Sequence, residues 1–209
     1  MTPPLLVATR SPGKQREARR LLLPSGLRVV FPDDLGLPEE PAEAGLELHD
    51  TFEANARAKA EYFARRSGLP TVADDSGLEV FALGGAPGVR SKRWAGVAAS
   101  GAALDAANNA ELLRRLGGAP PERRRARYRC LLAFVPRPGA PAEIFEGACH
   151  GSILTEPRGT GGFGYDPLFL SDDLGRTFGE ATDAEKDRVS HRGRAFRALL
   201  ARLSAGGLD

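Results

Sequence analysis

Cysteine and lysine are scarce in this sequence of 209 residues. Its two cysteines, Cys130 and Cys149, are too few for a disulfide framework and lack the spacing of metal ligands. Each lies in an apolar run that is typical of a strand, so we expect both to be buried as small hydrophobic side chains. A disulfide scaffold and a cysteine-based metal site are therefore excluded.

Long apolar runs and an excess of one charge sign are also missing. No run approaches the length of a membrane span, and the N-terminus lacks the basic and apolar regions of a signal peptide. The formal net charge of +2 is too balanced for a protein that coats nucleic acid or lies on a membrane surface. We therefore expect a cytoplasmic protein, folded as a single domain over residues 1–209, with no membrane and no stable nucleic-acid partner.

Only four of the 29 basic residues are lysine, so arginine is the usual surface cation and each lysine position is informative. Lys14 ends a loop between a predicted strand at 5–9 and a predicted helix at 15–23. This arrangement aims backbone N–H groups at an anion, although it lacks the first glycine of a Walker A loop. A phosphate cradle and an ordinary connection with a solvated lysine are both open.

A second lysine interrupts the apolar face of a predicted helix at 52–66, for which Thr51 is the N-cap. Lys59 lies in the same stripe as Phe52, Ala56 and Phe63. A cation there needs an anionic partner or must reach out to water. A nearby aspartate and a ligand phosphate are the two candidates.

A third group of cations, Lys186 and Arg192, lies close to the apolar stripe of a predicted last helix at 183–204. Before it, residues 157–167 form a glycine-rich loop in which Phe163 and Tyr165 offer stacking faces. A base pocket is one interpretation of this loop, and a flexible turn with two core aromatics is the other.

Two adjacent carboxylates, Asp74 and Asp75, lie between apolar segments, a pattern that predicts a strand, a sharp turn and a strand over 69–81. Successive strand residues face opposite sides, so one acid can brace the turn while the other faces a cleft. Taken alone, this favours a hairpin cap. Together with the separate cations and with Glu47, it predicts a nucleoside triphosphate site with Mg²⁺.

Six short motifs occur in this order: TRSPGK at 9–14, TFEANA at 51–56 followed by Lys59, ADDSGL at 73–78, LGGAPG at 83–88, GGFGYDP at 161–167, and EK at 185–186 followed by SHR at 190–192. In these motifs the chain closely resembles the inosine/xanthosine triphosphate pyrophosphatase family over nearly its whole length. The resemblance implies an α/β fold with an elongated mixed sheet, flanking helices and two lobes around a central nucleotide-binding cleft. It also implies a Mg²⁺-dependent homodimer that cleaves dITP, ITP and XTP to the monophosphate and pyrophosphate.

Matched residue by residue, the resemblance implies that Asp75 is the proton acceptor and a metal ligand, Glu47 a second metal contact and Lys59 a catalytic phosphate partner. The implied substrate-binding residues are Thr9, Arg10, Ser11, Pro12, Gly13 and Lys14 at the phosphates, and Ser76, Phe163, Gly164, Tyr165, Asp166, Lys186, His191 and Arg192 at the nucleotide. Of these, His191 and Arg192 are expected near the 6-oxo group of the purine.

Two sites, one of them a pair of residues, depart from the family pattern. Arg10 and Ser11 stand where the family usually has glycine and asparagine, and Ala54 stands where it often has glutamate. Two other functions remain open: a pyrophosphatase for modified pyrimidine triphosphates, and a nucleotide sensor without catalytic activity.

Overall fold

The computed structural model describes residues 3–208 and contains a six-stranded mixed sheet with helices on its faces. The strand order is β2-β1-β3-β4-β5-β6. The strands are β1 (Leu5–Val7), β2 (Val29–Val30), β3 (Thr71–Val80), β4 (Arg125–Val135), β5 (Glu143–Ile153) and β6 (Phe169–Ser171). The α-helices are α1 (Pro12–Leu22), α2 (Phe52–Ser67), α3 (Gly101–Leu116), α4 (Asp183–Val189) and α5 (His191–Gly206).

The sheet is parallel at one end and antiparallel at the other. Strand β1 pairs in parallel with β2, with Leu5 opposite Val29, and with β3, with Val7 opposite Val72. Helices α1 and α2 precede β2 and β3 along the chain, as parallel neighbours require a crossover. At the other end β6 runs antiparallel to β5, with Ile153 opposite Phe169.

Strand alternation assigns α1 and α2 to opposite faces of the parallel strands. Leu5, Val7 and Val72 pack with residues of α1 and α5, whereas Leu6 and Ala73 pack with residues of α2. Neighbours along β3 thus face different helices. By continuation of this pattern, Asp74 is on the α1 face and Asp75 on the α2 face.

The chain forms two compact units. The first contains the residues up to Asp75, together with Cys130–Gly147 and the segment from Gly193 onward. The second contains Ser76–Arg129 and Ala148–Arg192, and its core is built from β3, β4, β5 and α3 around Phe169 and Phe178. Within residues 3–208, no helix combines the length and the apolar character needed to cross a membrane.

The mixed α/β sheet with flanking helices is confirmed, and so is the burial of both cysteines. The single domain over 1–209 and the central cleft stay predictions. The sharp turn at Asp74 and Asp75 is wrong, because β3 runs through both residues without interruption. The single last helix is also wrong: the backbone of Ser190 is extended, with φ −65° and ψ 155°, and it separates α4 from α5.

Candidate functional site

The loop between β1 and α1 presents the start of a helix. Ser11 is the extended N-cap residue, and Pro12 at the first helical position needs no hydrogen-bond acceptor. The backbone N–H of Ser11 donates to Thr9 Oγ1 at 3.2 Å, and Gln15 Nε2 donates to the Thr9 carbonyl at 3.1 Å. The first turn of α1 carries no acidic side chain of its own that would counter the positive end of the helix dipole.

Lys14 and Asp74 form an ion pair from α1 to β3. The distance from Lys14 Nζ to Asp74 Oδ2 is 3.1 Å, and the aspartate is buried. This contact is on the α1 face of the sheet, as the alternation of β3 requires. It gives the Asp74 carboxylate a cationic partner, which explains how an acid is tolerated within a buried strand.

Asp75 faces α2, where the buried Asn55 donates its amide to Asp75 Oδ2 at 2.7 Å. The backbone N–H of His49 in turn donates to Asn55 Oδ1 at 2.9 Å, so the orientation of the amide is fixed. Burial raises the pKa of Asp75, whereas the charges of Lys14 and Lys59 and the Asn55 hydrogen bond act to lower it. The net result is a carboxyl group with a raised pKa.

Lys59 connects β3 to residues 32–48, a segment rich in glutamate that we call the acidic loop. Its ammonium group donates to the Glu47 carboxylate and, at 2.6 Å, to the carbonyl oxygen of Asp74. Burial acts to raise the pKa of Glu47, but the charges of Lys59 and Lys14 outweigh it and bring the pKa to about 2. The cation on the apolar stripe of α2 therefore has a carboxylate partner, which comes from a glutamate rather than an aspartate.

Arg10 contacts the acidic loop with its whole guanidinium group. Its Nε and one terminal nitrogen donate to the two Glu43 oxygens at 2.7 and 2.9 Å, and the other terminal nitrogen donates to Asp33 at 2.7 Å. The carbonyls of Leu37 and Pro38 accept two more bonds at 3.1 Å. The hydrogen bond from Arg10 lowers the pKa of Glu43. The Arg10 side chain, which was predicted to contact the substrate phosphates, is thus bound to the acidic loop.

In the second unit, a buried ion pair organises the glycine-rich loop. Lys186 Nζ lies 2.5 Å from Asp166 Oδ2, and the Phe163 N–H donates to the same oxygen at 2.8 Å. Lys186 also lies 4.9 Å from the ring centroid of Phe163. At Gly162, φ is +72° and a Cβ atom would come within 2.0 Å of Asp166 Oδ2, so only glycine fits this turn.

Two cationic side chains of the second unit, Lys186 and Arg192, lie near the Phe163 ring. Arg192 donates to Ser76 Oγ at 2.7 Å, and its guanidinium carbon lies 5.7 Å from the Phe163 centroid. The interruption at Ser190 places His191 and Arg192 at the start of α5, where both are buried. Ser76, Phe163, Lys186 and Arg192 are therefore neighbours in space, as predicted from separate motifs.

Tyr165 was predicted to offer its ring for stacking, but it does not have the surroundings of a stacking residue. Its ring is buried in the core of the second unit, and its hydroxyl donates to the Ser91 carbonyl at 2.7 Å. Gly164 is fixed nearby, since its N–H donates to Asp105 at 2.8 Å. Phe163 remains half-buried. Of the two loop aromatics, Tyr165 is thus a core residue, and Phe163 is the candidate for stacking.

Three residues next to these side chains were not among the predicted site residues. Asn55 was visible as a polar residue beside the apolar stripe of α2, and a buried amide at that place is a signal of a partner. Tyr128 and Cys149, which contact His191, looked like ordinary inward-facing strand residues. Nothing in the local pattern distinguishes them from core.

The carboxylates of Asp75 and Glu47 suit a cation that takes most of its ligands from substrate and water. Among residues 3–208, no group of three or more histidine, cysteine, aspartate or glutamate side chains could hold a metal ion. Asp75 and Glu47 nevertheless lie close enough for the Glu47 charge to raise the pKa of Asp75. Mg²⁺ is commonly held by one or two carboxylates, substrate phosphates and water, so this pair fits it.

The chain is similar to known proteins in sequence and in fold. A dITP/XTP pyrophosphatase from Anaeromyxobacter sp. (strain Fw109-5) is 45% identical, over 97% of this chain and 99% of its own length. A HAM1 protein from Coxiella burnetii superimposes with a TM-score of 0.84 at 35% identity, covering 99% of this chain and 100% of that one. A nucleoside-triphosphatase, dITP/XTP pyrophosphatase, from Mycobacterium abscessus has a TM-score of 0.70 at 45% identity, covering 94% of this chain and 98% of that one. The sequence model of the Ham1 family matches residues 5–202, and the chain belongs to that family.

Proposed function

We propose that this protein is an enzyme that hydrolyses deaminated purine nucleoside triphosphates, namely dITP, ITP and XTP, to the monophosphate and pyrophosphate. The observation that carries the proposal is the environment of Asp75, a buried carboxylate held by the Asn55 amide beside the charges of Lys14 and Lys59. Its support from outside the chain is the name dITP/XTP pyrophosphatase, which relatives of similar length bear.

Asp75 is the proposed general base. A water molecule attacks the α-phosphorus, the bond from that phosphorus to the bridging oxygen breaks, and pyrophosphate leaves with the bonding electrons. Asp75 accepts the proton that the water loses. A raised pKa makes the carboxylate a stronger base, while the nearby lysines and the Asn55 amide favour its ionised form.

The start of α1 and two lysines are the proposed phosphate contacts. The backbone N–H of Gly13 at the start of α1, together with the helix dipole, suits an anion, and Lys14 and Lys59 add positive charge. Asp74 and Glu47 fix the positions of these two lysines. Cations that are already positioned stabilise the charge that develops on the phosphoryl oxygens without further reorganisation.

Mg²⁺ is the proposed cofactor, held by Asp75 and Glu47 together with substrate phosphates. When bound, such an ion neutralises phosphate charge. The low pKa of Glu47, about 2, keeps this ligand ionised at neutral pH. Exchange of the Glu47 partner, from Lys59 to the ion, would leave Lys59 to contact a phosphate.

The residues described in the second unit are the proposed contacts to the nucleotide. Phe163 offers a ring for stacking, and Lys186 and Asp166 fix the loop that carries it. His191 and Arg192 are the proposed donors to the purine 6-oxo group, which adenine lacks. A site built to pair a buried donor discriminates against bases that leave the donor without an acceptor.

A panel of nucleotides tests this function. Pyrophosphate release is measured with Mg²⁺ for dITP, XTP, dGTP and dTTP at equal concentrations. The proposal predicts that kcat/KM for dITP and XTP exceeds that for dGTP. Faster cleavage of dTTP or of methylated dUTP would indicate a pyrimidine enzyme, and tight dITP binding without pyrophosphate release would indicate a sensor.

We also propose, from the same resemblance, that the protein is a cytoplasmic homodimer whose single catalytic domain spans residues 1–209. Sedimentation equilibrium at micromolar concentration tests the dimer. A single species with the 22.2 kDa mass of one chain would contradict it.

A further inference from the structure

We propose that Tyr128 positions His191 and the glycine-rich loop for recognition of the purine, with Cys149 as a second support for His191. This inference rests on the function proposed above, and it adds residues that set base selectivity without themselves contacting the substrate. Tyr128, Cys149 and His191 all belong to the second unit.

The tyrosine ring lies flat against the imidazole of His191. The two ring centroids are 4.6 Å apart, and the planes differ by 7°. Tyr128 is 7% exposed and His191 is 4% exposed, so the stack is buried in the protein core. A parallel contact at this distance fixes the plane of the imidazole, because tilting would drive its edge into the tyrosine ring.

Cys149 restrains the remaining freedom of the imidazole, its rotation within that plane. Its Sγ lies 3.9 Å from His191 Nδ1, and the cysteine is fully buried on β5. A thiol forms only weak hydrogen bonds. The contact nevertheless shows that Nδ1 is the ring nitrogen that faces β5. A flipped ring would put a carbon in that position and lose the contact.

The same tyrosine also contacts the loop that carries Phe163. Tyr128 belongs to the same buried core cluster as Tyr165, which lies in that loop. The Tyr128 ring also packs against Phe169 at 4.8 Å and Phe178 at 6.2 Å between centroids, and the centroid of Phe178 in turn lies 5.6 Å from Lys186 Nζ. One buried side chain thus links the proposed hydrogen-bond donor to the proposed stacking loop.

The contacts of Tyr128 involve residues proposed to recognise the base, and not those proposed to hydrolyse the phosphate. The groups around Asp75 are Asn55, Lys14, Lys59 and Glu47, and none of them is a described contact of Tyr128. Loss of the tyrosine ring should therefore misplace the base-recognition groups and leave the general base in position. A displacement of about 1 Å in a positioned group can cost about 100-fold in rate.

The test measures kcat/KM for dITP and for dATP, which lacks the 6-oxo group, in Tyr128→Leu, Tyr128→Phe and Cys149→Ala, together with thermal unfolding. Tyr128→Leu should lower the dITP to dATP ratio by about tenfold, with the loss mainly in dITP. Tyr128→Phe keeps the stacked ring and should keep most of the selectivity. Phe134→Leu is the matched control, because Phe134 is a buried aromatic of the same strand in a different core cluster. It should lower the melting temperature and leave the ratio unchanged.

Cys149→Ala removes one sulfur atom and keeps the test valid should Tyr128→Leu fail to fold. It should also lower the ratio, to a smaller extent. Unchanged ratios in Cys149→Ala and in every folded Tyr128 variant, or equal losses for the two nucleotides, would overturn the inference while the proposed function stands. A wild-type protein that does not cleave dITP would instead overturn the proposed function, and this inference with it.

Discussion

Asn55 donates its amide to Asp75 Oδ2 at 2.7 Å, and the backbone N–H of His49 fixes the opposite end of that amide. The proposed general base therefore has a neutral donor among its partners. A neutral donor orients the carboxylate while lowering its pKa less than a charged donor would. Lys14 and Lys59 also act to lower the pKa of Asp75 by their charges, and they form ion pairs with Asp74 and Glu47.

Asn55→Ala should move the acid limb of the pH–rate profile. The Asn55 hydrogen bond lowers the pKa of Asp75, so its removal raises that pKa further. The acid limb of kcat/KM for dITP should shift to higher pH, and kcat at neutral pH should fall by about tenfold through loss of orientation. Glu53→Gln, on the exposed side of the same helix, is the control. An acid limb that stays in place in Asn55→Ala would show that the amide does not tune the base.

Glu47 and Asp75 should contribute to stability with opposite dependence on pH. The pKa of Glu47 is lowered from 4.5 to about 2, so its contribution is present above pH 4.5 and is lost as pH falls towards 2. The pKa of Asp75 is raised, so its protonated form is favoured in the folded state and stability falls as pH rises through that value. Urea unfolding between pH 5 and 3 should show a smaller acid loss of stability in Glu47→Gln than in wild type, and a larger one in Asp75→Asn. Equal slopes in all three proteins would contradict the prediction.

Lys59 should stabilise the fold as well as assist binding. Lys59→Met leaves the Glu47 carboxylate and the Asp74 carbonyl without this donor, and the lysine side chain is only 8% exposed. We expect a loss of about 2–3 kcal/mol in the free energy of unfolding without ligand. The double variant with Glu47→Gln should be destabilised by less than the sum of the two single variants, because they remove the same interaction. Strict additivity in urea unfolding would show that the pair is not coupled.

Arg10→Ala should loosen the acidic loop. The side chain joins Glu43, Asp33 and two loop carbonyls, so its loss removes five hydrogen bonds from one short segment. We expect a loss of about 1–3 kcal/mol and faster proteolysis within residues 33–47. Arg65→Ala removes a 4.0 Å pair with Glu61 at an exposed site and should have little effect. Equal proteolysis of the two variants would contradict the anchoring role.

Local sequence signals predicted α2 well, together with the need of Lys59 for an anionic partner. Thr51 is the N-cap, and its side chain accepts from the Ala54 N–H at 3.1 Å. Lys59 on the apolar stripe predicted an anionic partner, and the structure supplies Glu47. Both inferences depend on residues within one helix and the loop before it, where spacing along the chain determines position in space.

The same reasoning failed at β3 because the stabilising groups are distant in sequence. Two adjacent aspartates favour a turn when only their neighbours are considered. The strand continues through them because Lys14 of α1 and Asn55 of α2 supply partners on its two faces. Alternation did predict that Asp74 and Asp75 face different sides. The stack of Tyr128 on His191 had no sequence signal either, since burial alone does not reveal which side chains meet.

Asp75→Asn tests the central claim most directly. Purified wild type and the variant are compared for pyrophosphate release from dITP with Mg²⁺, alongside their thermal unfolding. Asparagine has the size of aspartate but cannot accept the proton from water, so we predict a fall in kcat of about 10²–10⁴-fold. The melting temperature should be equal or higher, because the variant removes a buried charge. A folded variant with activity within about tenfold of wild type would contradict the assignment of Asp75 as the general base.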